Sequence, residues 1–181
     1  MSEIPNQPDP PPRDPIAKGM VYATWILVLV MLSWGFGLWF DAQRNPNQRV
    51  SSAMVDGATQ IVLERNRYGH YNVTGSINGQ AVEFMLDTGA TWVAIPARLA
   101  DRLELKRGHQ TQVRTANGTA PAYVTNLETV RLGDIEVRDV RAHIAPGMEG
   151  EEVLLGMSVL KNLEFTQRGN TLTLRQVPVP R

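Results

Sequence analysis

Phe84-Met85-Leu86-Asp87-Thr88-Gly89-Ala90 decides how this chain is interpreted, because an apolar run leads directly into an Asp-Thr-Gly turn. An acidic side chain at the end of a buried strand costs free energy unless its charge is used or neutralised. The 181 residues contain the Asp-Thr-Gly tripeptide once. If Asp87 is a catalytic acid, one chain therefore carries half of a paired-carboxylate site, and a second copy has to supply the other half.

The composition excludes several classes of function. Charged residues make up 20% of the chain and cancel to a net charge of zero, so no basic surface for nucleic acid is expected. Cysteine is absent, which excludes disulfides, thiolate catalysis and cysteine-ligated metals. The three histidines, at positions 70, 109 and 143, lack the spacing of metal ligands. We expect neither a metal nor another cofactor.

The first 57 residues divide into three segments. Residues 1–18 are polar and rich in proline, a composition that favours disorder. Residues 19–40 contain no charged side chain and are long enough to cross a bilayer as a helix, with aromatic residues toward both ends. Residues 41–57 are polar and show no apolar periodicity, which predicts a flexible tether.

The apolar segment has two other interpretations, a buried helix of a globular domain and a cleaved signal peptide. Few buried helices of soluble proteins are apolar on every side, which argues against the first. The polar leader, the length of the apolar run and the lack of a small-x-small site after Phe40 argue against the second. We expect one uncleaved membrane span. Lys18 lies closer to it than Arg44 does, which favours a cytoplasmic N-terminus.

Residues 58–176 have the pattern of a β domain, followed by a short tail at 177–181. Short apolar strands flank Asn-Gly or Gly-Asp pairs at 78–79, 117–118 and 133–134, and each pair signals a hairpin. Helical spacing occurs only in short stretches, at 97–105 and 157–163. Many short strands with regular turns predict an all-β barrel or sandwich with one or two short helices.

Three segments, in this order, resemble the retropepsin-like aspartic proteases, in particular their membrane-anchored bacterial branch. Asp87-Thr88-Gly89-Ala90 resembles the catalytic loop of the family. Thr-Ala-Asn-Gly-Thr at 115–119 occupies the position of the family's flap, and Val-Leu-Leu-Gly at 153–156 resembles the segment that passes beneath the loop. The resemblance covers about residues 59–175 and implies a closed β-barrel.

The resemblance also implies a function. Family members are homodimers that hydrolyse peptide bonds without a metal or a covalent intermediate, and each subunit supplies one aspartate. Two close carboxylates share one proton, so that one activates a water while the other donates to the scissile carbonyl. The resemblance implies catalytic roles for Asp87, Thr88 and Gly89, and substrate binding by Ala90, Ala116, Asn117, Gly118 and Leu155. Together with the apolar segment and the position of Lys18, the bacterial branch leads us to expect a single-pass protein of the bacterial inner membrane with a periplasmic catalytic domain.

The sequence departs from the retroviral members of the family at one place. Those enzymes pair an acid after the loop with an arginine after the later glycine, whereas this chain has Thr91 or Trp92 and Met157 there. A dimer contact of the retroviral kind is therefore not expected. Other interpretations remain open: a turn aspartate that only caps backbone amides, a non-catalytic peptide-binding or dimerisation module tethered to the membrane, or a purely structural domain.

Overall fold

The computed structural model describes residues 15–115 and 118–177, and it separates into two units, residues 1–41 and 42–181, which we describe individually. The helices and strands, in chain order, are α1 (Pro15–Arg44), β1 (Ser52–Val55), β2 (Ala58–Glu64), β3 (Asn72–Ile77), β4 (Gln80–Leu86), β5 (Val93–Pro96), α2 (Ala97–Arg102), β6 (Gln110–Thr115), β7 (Gly118–Leu132), β8 (Ile135–Ala145), β9 (Glu152–Leu155), α3 (Met157–Leu160), β10 (Glu164–Arg168) and β11 (Thr171–Gln176).

Helix α1 forms the described part of the first unit and continues to Arg44. From Lys18 to Arg44 it has 27 residues, and its most apolar stretch of 18 residues has a mean hydropathy of 1.9 and no buried residue. Its length and composition suit either a membrane span or a signal sequence. The helix is longer at both ends than the predicted segment 19–40. Its first residue is Pro15, at a position where helices tolerate proline. The remainder of the predicted disordered tail, residues 1–14, lies outside the described residues.

The second unit is built around a closed sheet. Seven strands follow the order β3-β4-β9-β5-β8-β7-β6, and an additional pairing of β3 with β7 closes six of them into a ring. At the beginning of β8 and again toward its end, buried residues alternate with partly or fully exposed ones. This alternation is expected of a barrel wall that has one face on the core. The predicted all-β closed barrel with short helices is confirmed.

The ring closes along a short seam. Strands β3 and β7 pair at Ser76↔Arg131 and Ile77↔Val130. Next to these pairs, the Asn78 backbone N–H donates to the Thr129 carbonyl at 3.0 Å, and the Thr129 N–H donates to Asn78 Oδ1 at 3.1 Å. A Cβ on Gly75 would lie 2.3 Å from the Arg131 carbonyl oxygen, so a residue with a side chain does not fit at this approach of two backbones.

A second sheet, in the order β1-β2-β11-β10, adds its buried face to the core. Ile61, Leu63 and Leu174 are fully buried in the same cluster as the barrel residues. The two edges of this sheet are β1 and β10, and the five residues of β10 are all exposed. Strand β10 was not predicted, because a strand exposed on both faces has no alternation of apolar and polar residues.

The predicted flexible tether at 41–57 has a different structure. Helix α1 continues to Arg44, and β1 pairs with β2 through contacts such as Ser52↔Ile61. Asn45 and Asn47 are 4% and 5% exposed. Their amides hydrogen-bond to other polar groups, so these two asparagines are buried although the segment has no apolar periodicity. The folded unit therefore begins near residue 42 and not at residue 58.

Two of the three predicted hairpins have the expected turns, at 78–79 and 133–134. In the third hairpin, Thr115 pairs with Gly118 across β6 and β7. Gly118, with φ of 109°, is thus the first paired residue of β7, and not a central turn residue as predicted. The two residues between the strands, Ala116 and Asn117, lie outside the described residues.

Candidate active site

The Asp-Thr-Gly turn connects two strands that are not neighbours in the sheet. Strand β4 ends at Leu86 and β5 begins at Val93, while β9 lies between them. Strands β4 and β9 are parallel, with Leu86 beside Leu155. The Asp87 N–H donates to the Leu155 carbonyl at 3.2 Å, which extends this ladder by one residue into the loop. The position of Asp87 is therefore fixed by β9.

The carboxylate of Asp87 is partly exposed and bonded within its own turn. Oδ1 accepts a hydrogen bond from the Gly89 N–H at 2.8 Å, and the Asp87 carbonyl accepts one from the Ala90 N–H at 3.2 Å. A Cβ on Gly89 would lie 3.2 Å from Oδ1 and press on the carboxylate, so glycine leaves it undisturbed. Thr88 and Gly89 are exposed at the tip of the turn. Among the described residues, Asp87 forms no ion pair.

The far side of the loop rests on the start of α3. The Met157 and Ser158 N–H groups donate to the carbonyls of Ala90 and Thr91 at 2.8 and 2.9 Å. A Cβ on Gly156 would lie 2.4 Å from the Trp92 carbonyl oxygen and 2.7 Å from that of Ala90. Only glycine therefore permits the chain to pass this closely beneath the loop.

Three residues that contact the loop or Trp92 were not identified from the sequence, namely Ser158, His143 and Arg141. Ser158 Oγ accepts the Val93 N–H at 3.1 Å, which fixes the first residue of β5. The Trp92 ring stacks on His143 with centroids 4.2 Å apart, and the Arg141 guanidinium lies 5.9 Å from the Trp92 ring centroid. Burial lowers the pKa of His143 below its ordinary value of 6.5. No local sequence pattern predicts contacts between residues that are so distant along the chain.

The structure brings together four of the predicted site residues, Asp87 to Ala90, in one turn. Leu155 requires a correction: its side chain is fully buried in the core, and it contributes to the loop through its carbonyl, so it does not offer a surface to substrate. The remaining predicted residues, Ala116, Asn117 and Gly118, belong to the β6–β7 hairpin, and of these three only Gly118 is among the described residues. Within the described ranges, no group of three or more histidine or acidic side chains could hold a metal ion.

Comparison with known proteins gives relatives of unassigned function. An uncharacterized protein in the cobV 5′ region of a Sinorhizobium species is 31% identical over 145 residues, which cover 78% of this chain and 62% of the relative. An uncharacterized protein of Rickettsia prowazekii is 26% identical over 151 residues, which cover 78% of this chain and 64% of the relative. The chain thus spans a little under two thirds of the length of these curated relatives.

A family model and a solved structure are similar to the part of the chain that carries the Asp87 loop. The model described as "gag-polyprotein putative aspartyl protease" matches residues 73–162. The crystal structure of a retropepsin-like aspartic protease from Rickettsia conorii is 28% identical and covers 71% of this chain and 96% of its own, with a TM-score of 0.57. The match includes both the loop of Asp87 and the strand beneath it. The chain is therefore similar to the retropepsin-like aspartic proteases in the sequence of residues 73–162 and in its fold.

Proposed function

We propose that this protein is a membrane-anchored aspartic endopeptidase that works as a homodimer. The observation that carries the proposal is a single carboxylate, Asp87, on an exposed turn whose backbone is fixed by β9 and α3. In the dimer, two Asp87 side chains share one proton. The ionised one takes a proton from a bound water, and the protonated one donates to the carbonyl of the scissile peptide bond.

The exposed residues of the turn suit a contact between two copies. Thr88 and Gly89 lie at its tip, so a second turn can approach without displacing a buried side chain. The Thr88 hydroxyl is available to hydrogen-bond across the interface, and Gly89 keeps the gap between the two copies small. Ala90 and the β6–β7 hairpin, including Ala116, Asn117 and Gly118, would contact an extended peptide substrate, with the hairpin as the flap.

Strand β10, at an exposed edge of its sheet, is suited to form a second contact between two copies of the chain. No described strand lies on its outer side, and its sequence is Glu164-Phe165-Thr166-Gln167-Arg168. Antiparallel pairing of two such strands about Thr166 places Glu164 opposite Arg168 of the other copy, twice over. An edge strand with this charge order is complementary to itself.

The location follows from α1 and the charges beside it. We propose that α1 spans the bacterial inner membrane once, since it is apolar over the required length. The basic residue nearest to the apolar run is Lys18 on the N-terminal side, which favours a cytoplasmic N-terminus and a periplasmic protease unit. A reporter enzyme fused to the C-terminus and assayed on each side of the membrane tests this orientation.

The catalytic role of Asp87 is tested by Asp87→Asn in the full chain, purified in detergent and incubated with a peptide library. Asparagine keeps the Oδ1 acceptor for the Gly89 N–H, so we expect the free energy of unfolding to change by no more than about 0.5 kcal/mol. Peptide cleavage should fall by at least about 10²-fold, because the pair of groups that moves protons is lost. Cleavage by the wild type should be faster at mildly acidic than at neutral pH.

Other outcomes identify the rival functions. Full peptidase activity of Asp87→Asn would end the catalytic proposal. Binding of peptides by the wild type without turnover, at every pH tested, would indicate a peptide-binding module in which Asp87 only caps its own turn. The absence of both cleavage and binding would indicate a structural domain.

A further inference from the structure

Four of the five buried polar side chains among the described residues belong to one cluster. They are asparagines, and we call them the asparagine cluster: Asn45, Asn47, Asn66 and Asn72, between 2% and 8% exposed. Buried amides are costly unless their donors and acceptors are paired. The cluster therefore has to be judged by its partners.

Asn47 joins the segment after α1 to two strands. Its Nδ2 donates to the carbonyls of Glu64 and Asn72 at 2.9 and 2.6 Å, and its Oδ1 accepts the Glu64 N–H at 2.7 Å. Its own carbonyl accepts the Thr74 N–H at 3.2 Å. The side chain of Asn47 thus completes the backbone hydrogen bonding of the last residue of β2 and the first residue of β3.

Asn72 joins the same cluster to β4 and β9. Its Nδ2 donates to Glu83 Oε1 at 3.0 Å and to Glu152 Oε1 at 2.8 Å, while its Oδ1 accepts from Asn66 Nδ2 at 3.3 Å. Glu83 and Glu152 are direct neighbours in the parallel β4–β9 register. Adjacent carboxylates repel, so this register needs a donor shared between them.

Arg44 supplies the charge that the pair requires. Its Nη2 and Nε donate to Glu152 Oε1 at 2.8 and 3.0 Å. Three residues further along the two strands, Leu86 lies beside Leu155, and Asp87 follows with its N–H on the Leu155 carbonyl. A shift of β9 relative to β4 at Glu152 would therefore move the support of Asp87.

We propose that residues 44–47 position the active site through Asn72, by holding β9 in register with β4 beneath the Asp87 loop. Asn72 is a positioning residue in this scheme, and the segment after α1 is a working part of the protease unit instead of a dispensable tether. The inference rests on the proposed function for its effect on catalysis. Its structural half, the fixing of β9 by the cluster, can be tested without any activity.

The test uses Asn72→Asp in the full chain in detergent, with Glu83→Gln added as the rescuing change. The introduced aspartate keeps the acceptor for Asn66 and replaces the shared donor by a third carboxylate. In the double variant, the introduced glutamine returns an amide donor between that aspartate and Glu152 and restores the charge. Asn170→Asp is the matched control, since it adds the same charge on an exposed turn between β10 and β11.

Hydrogen exchange is measured on peptides that cover residues 84–90 and 153–158. We expect exchange at least about tenfold faster in Asn72→Asp, with peptides of β7 and β8 unchanged, and recovery in the double variant. Where the wild type cleaves peptides, kcat should fall in Asn72→Asp with little change in KM.

Unchanged exchange at both peptides in Asn72→Asp would overturn the inference, and so would faster exchange over the whole barrel, which would indicate a general loss of stability. If hydrogen exchange in the double variant does not return toward the wild-type rate, a shared amide donor is not what holds β9 in register, and this result would also contradict the inference. A wild type that cleaves no peptide would remove the proposed function, while the exchange result would still decide whether the cluster fixes β9.

Discussion

Main-chain groups determine where the Asp87 carboxylate lies. Its turn is defined by bonds to the Gly89 N–H and the Leu155 carbonyl, and a side chain on Gly89 would press on it. The tripeptide and the apolar strand before it made this residue recognisable in the sequence. The part played by Ser158 was not recognisable, because its hydroxyl acts on a backbone N–H of Val93 that only the folded chain brings near.

His143 predicts a pH dependence of stability. Burial lowers the pKa of His143 in the folded chain, so the unfolded chain binds a proton more readily at and below pH 6.5. The contribution of His143 to the free energy of unfolding should be complete above pH 6.5. It should be lost progressively as the pH drops toward the lowered pKa. Urea unfolding at several pH values measures this slope.

The slope should be smaller in His143→Phe, which keeps a ring against Trp92 but binds no proton. His109→Gln is the matched control for the loss of a histidine, because the His109 side chain is exposed. An equal slope in His143→Phe and the wild type would show that other groups cause the pH dependence.

At the scale of the elements, the residues of the turns predicted the hairpins that form most of the barrel. They did not predict which strands pair when those strands are far apart along the chain. The hairpins at 78–79 and 133–134 follow from two-residue turn signals. The insertion of β9 between β4 and β5 does not, since nothing in residues 152–155 states which strands they pair with. Residues 41–57 were predicted as a tether because buried asparagines that bond to backbone groups look like solvent-exposed ones in a sequence.

The crossing of β9 and α3 beneath the loop predicts a large effect of Gly156→Ala. The new Cβ would lie 2.4 Å from the Trp92 carbonyl oxygen, so the loop or the start of α3 has to move. We expect the free energy of unfolding to fall by about 1–3 kcal/mol, as for other overpacked sites. Urea denaturation of the full chain in detergent measures the change.

Gly147→Ala provides the matched control for this substitution. A Cβ on Gly147 meets nothing within 4 Å, and its φ is not in the left-handed region. That variant should remain within about 0.5 kcal/mol of the wild type. A Gly156→Ala variant as stable as Gly147→Ala would mean that the crossing has room that the distances do not indicate.

For the whole molecule, the charge order of β10 predicts which variants associate. Glu164→Arg places two arginines opposite each other in the proposed antiparallel pair, and Arg168→Glu places two glutamates there. Each variant alone should therefore associate at least about tenfold more weakly than the wild type, because like charges directly opposite are destabilising. Mixed in equal amounts, the two variants should form a heterodimer with opposite charges at both positions.

Sedimentation velocity in detergent measures the association, and peptide cleavage by the mixture measures whether the site is complete. Thermal unfolding is the accompanying control, since Glu164 also lies 3.5 Å from Arg175 within its own chain. Single variants that dimerise as strongly as the wild type would exclude β10 as the contact, and the proposed pairing of Asp87 would then depend on the loop alone.

The seam between β3 and β7 has a consequence for how the barrel fluctuates. Two residue pairs and the bonds of Asn78 join strands whose other neighbours pair over longer stretches. Local opening begins where the fewest hydrogen bonds have to break. Opening at this seam therefore breaks few hydrogen bonds, and we expect the Asn78 amide, which donates to the Thr129 carbonyl across it, to exchange before the amides at the centre of β8.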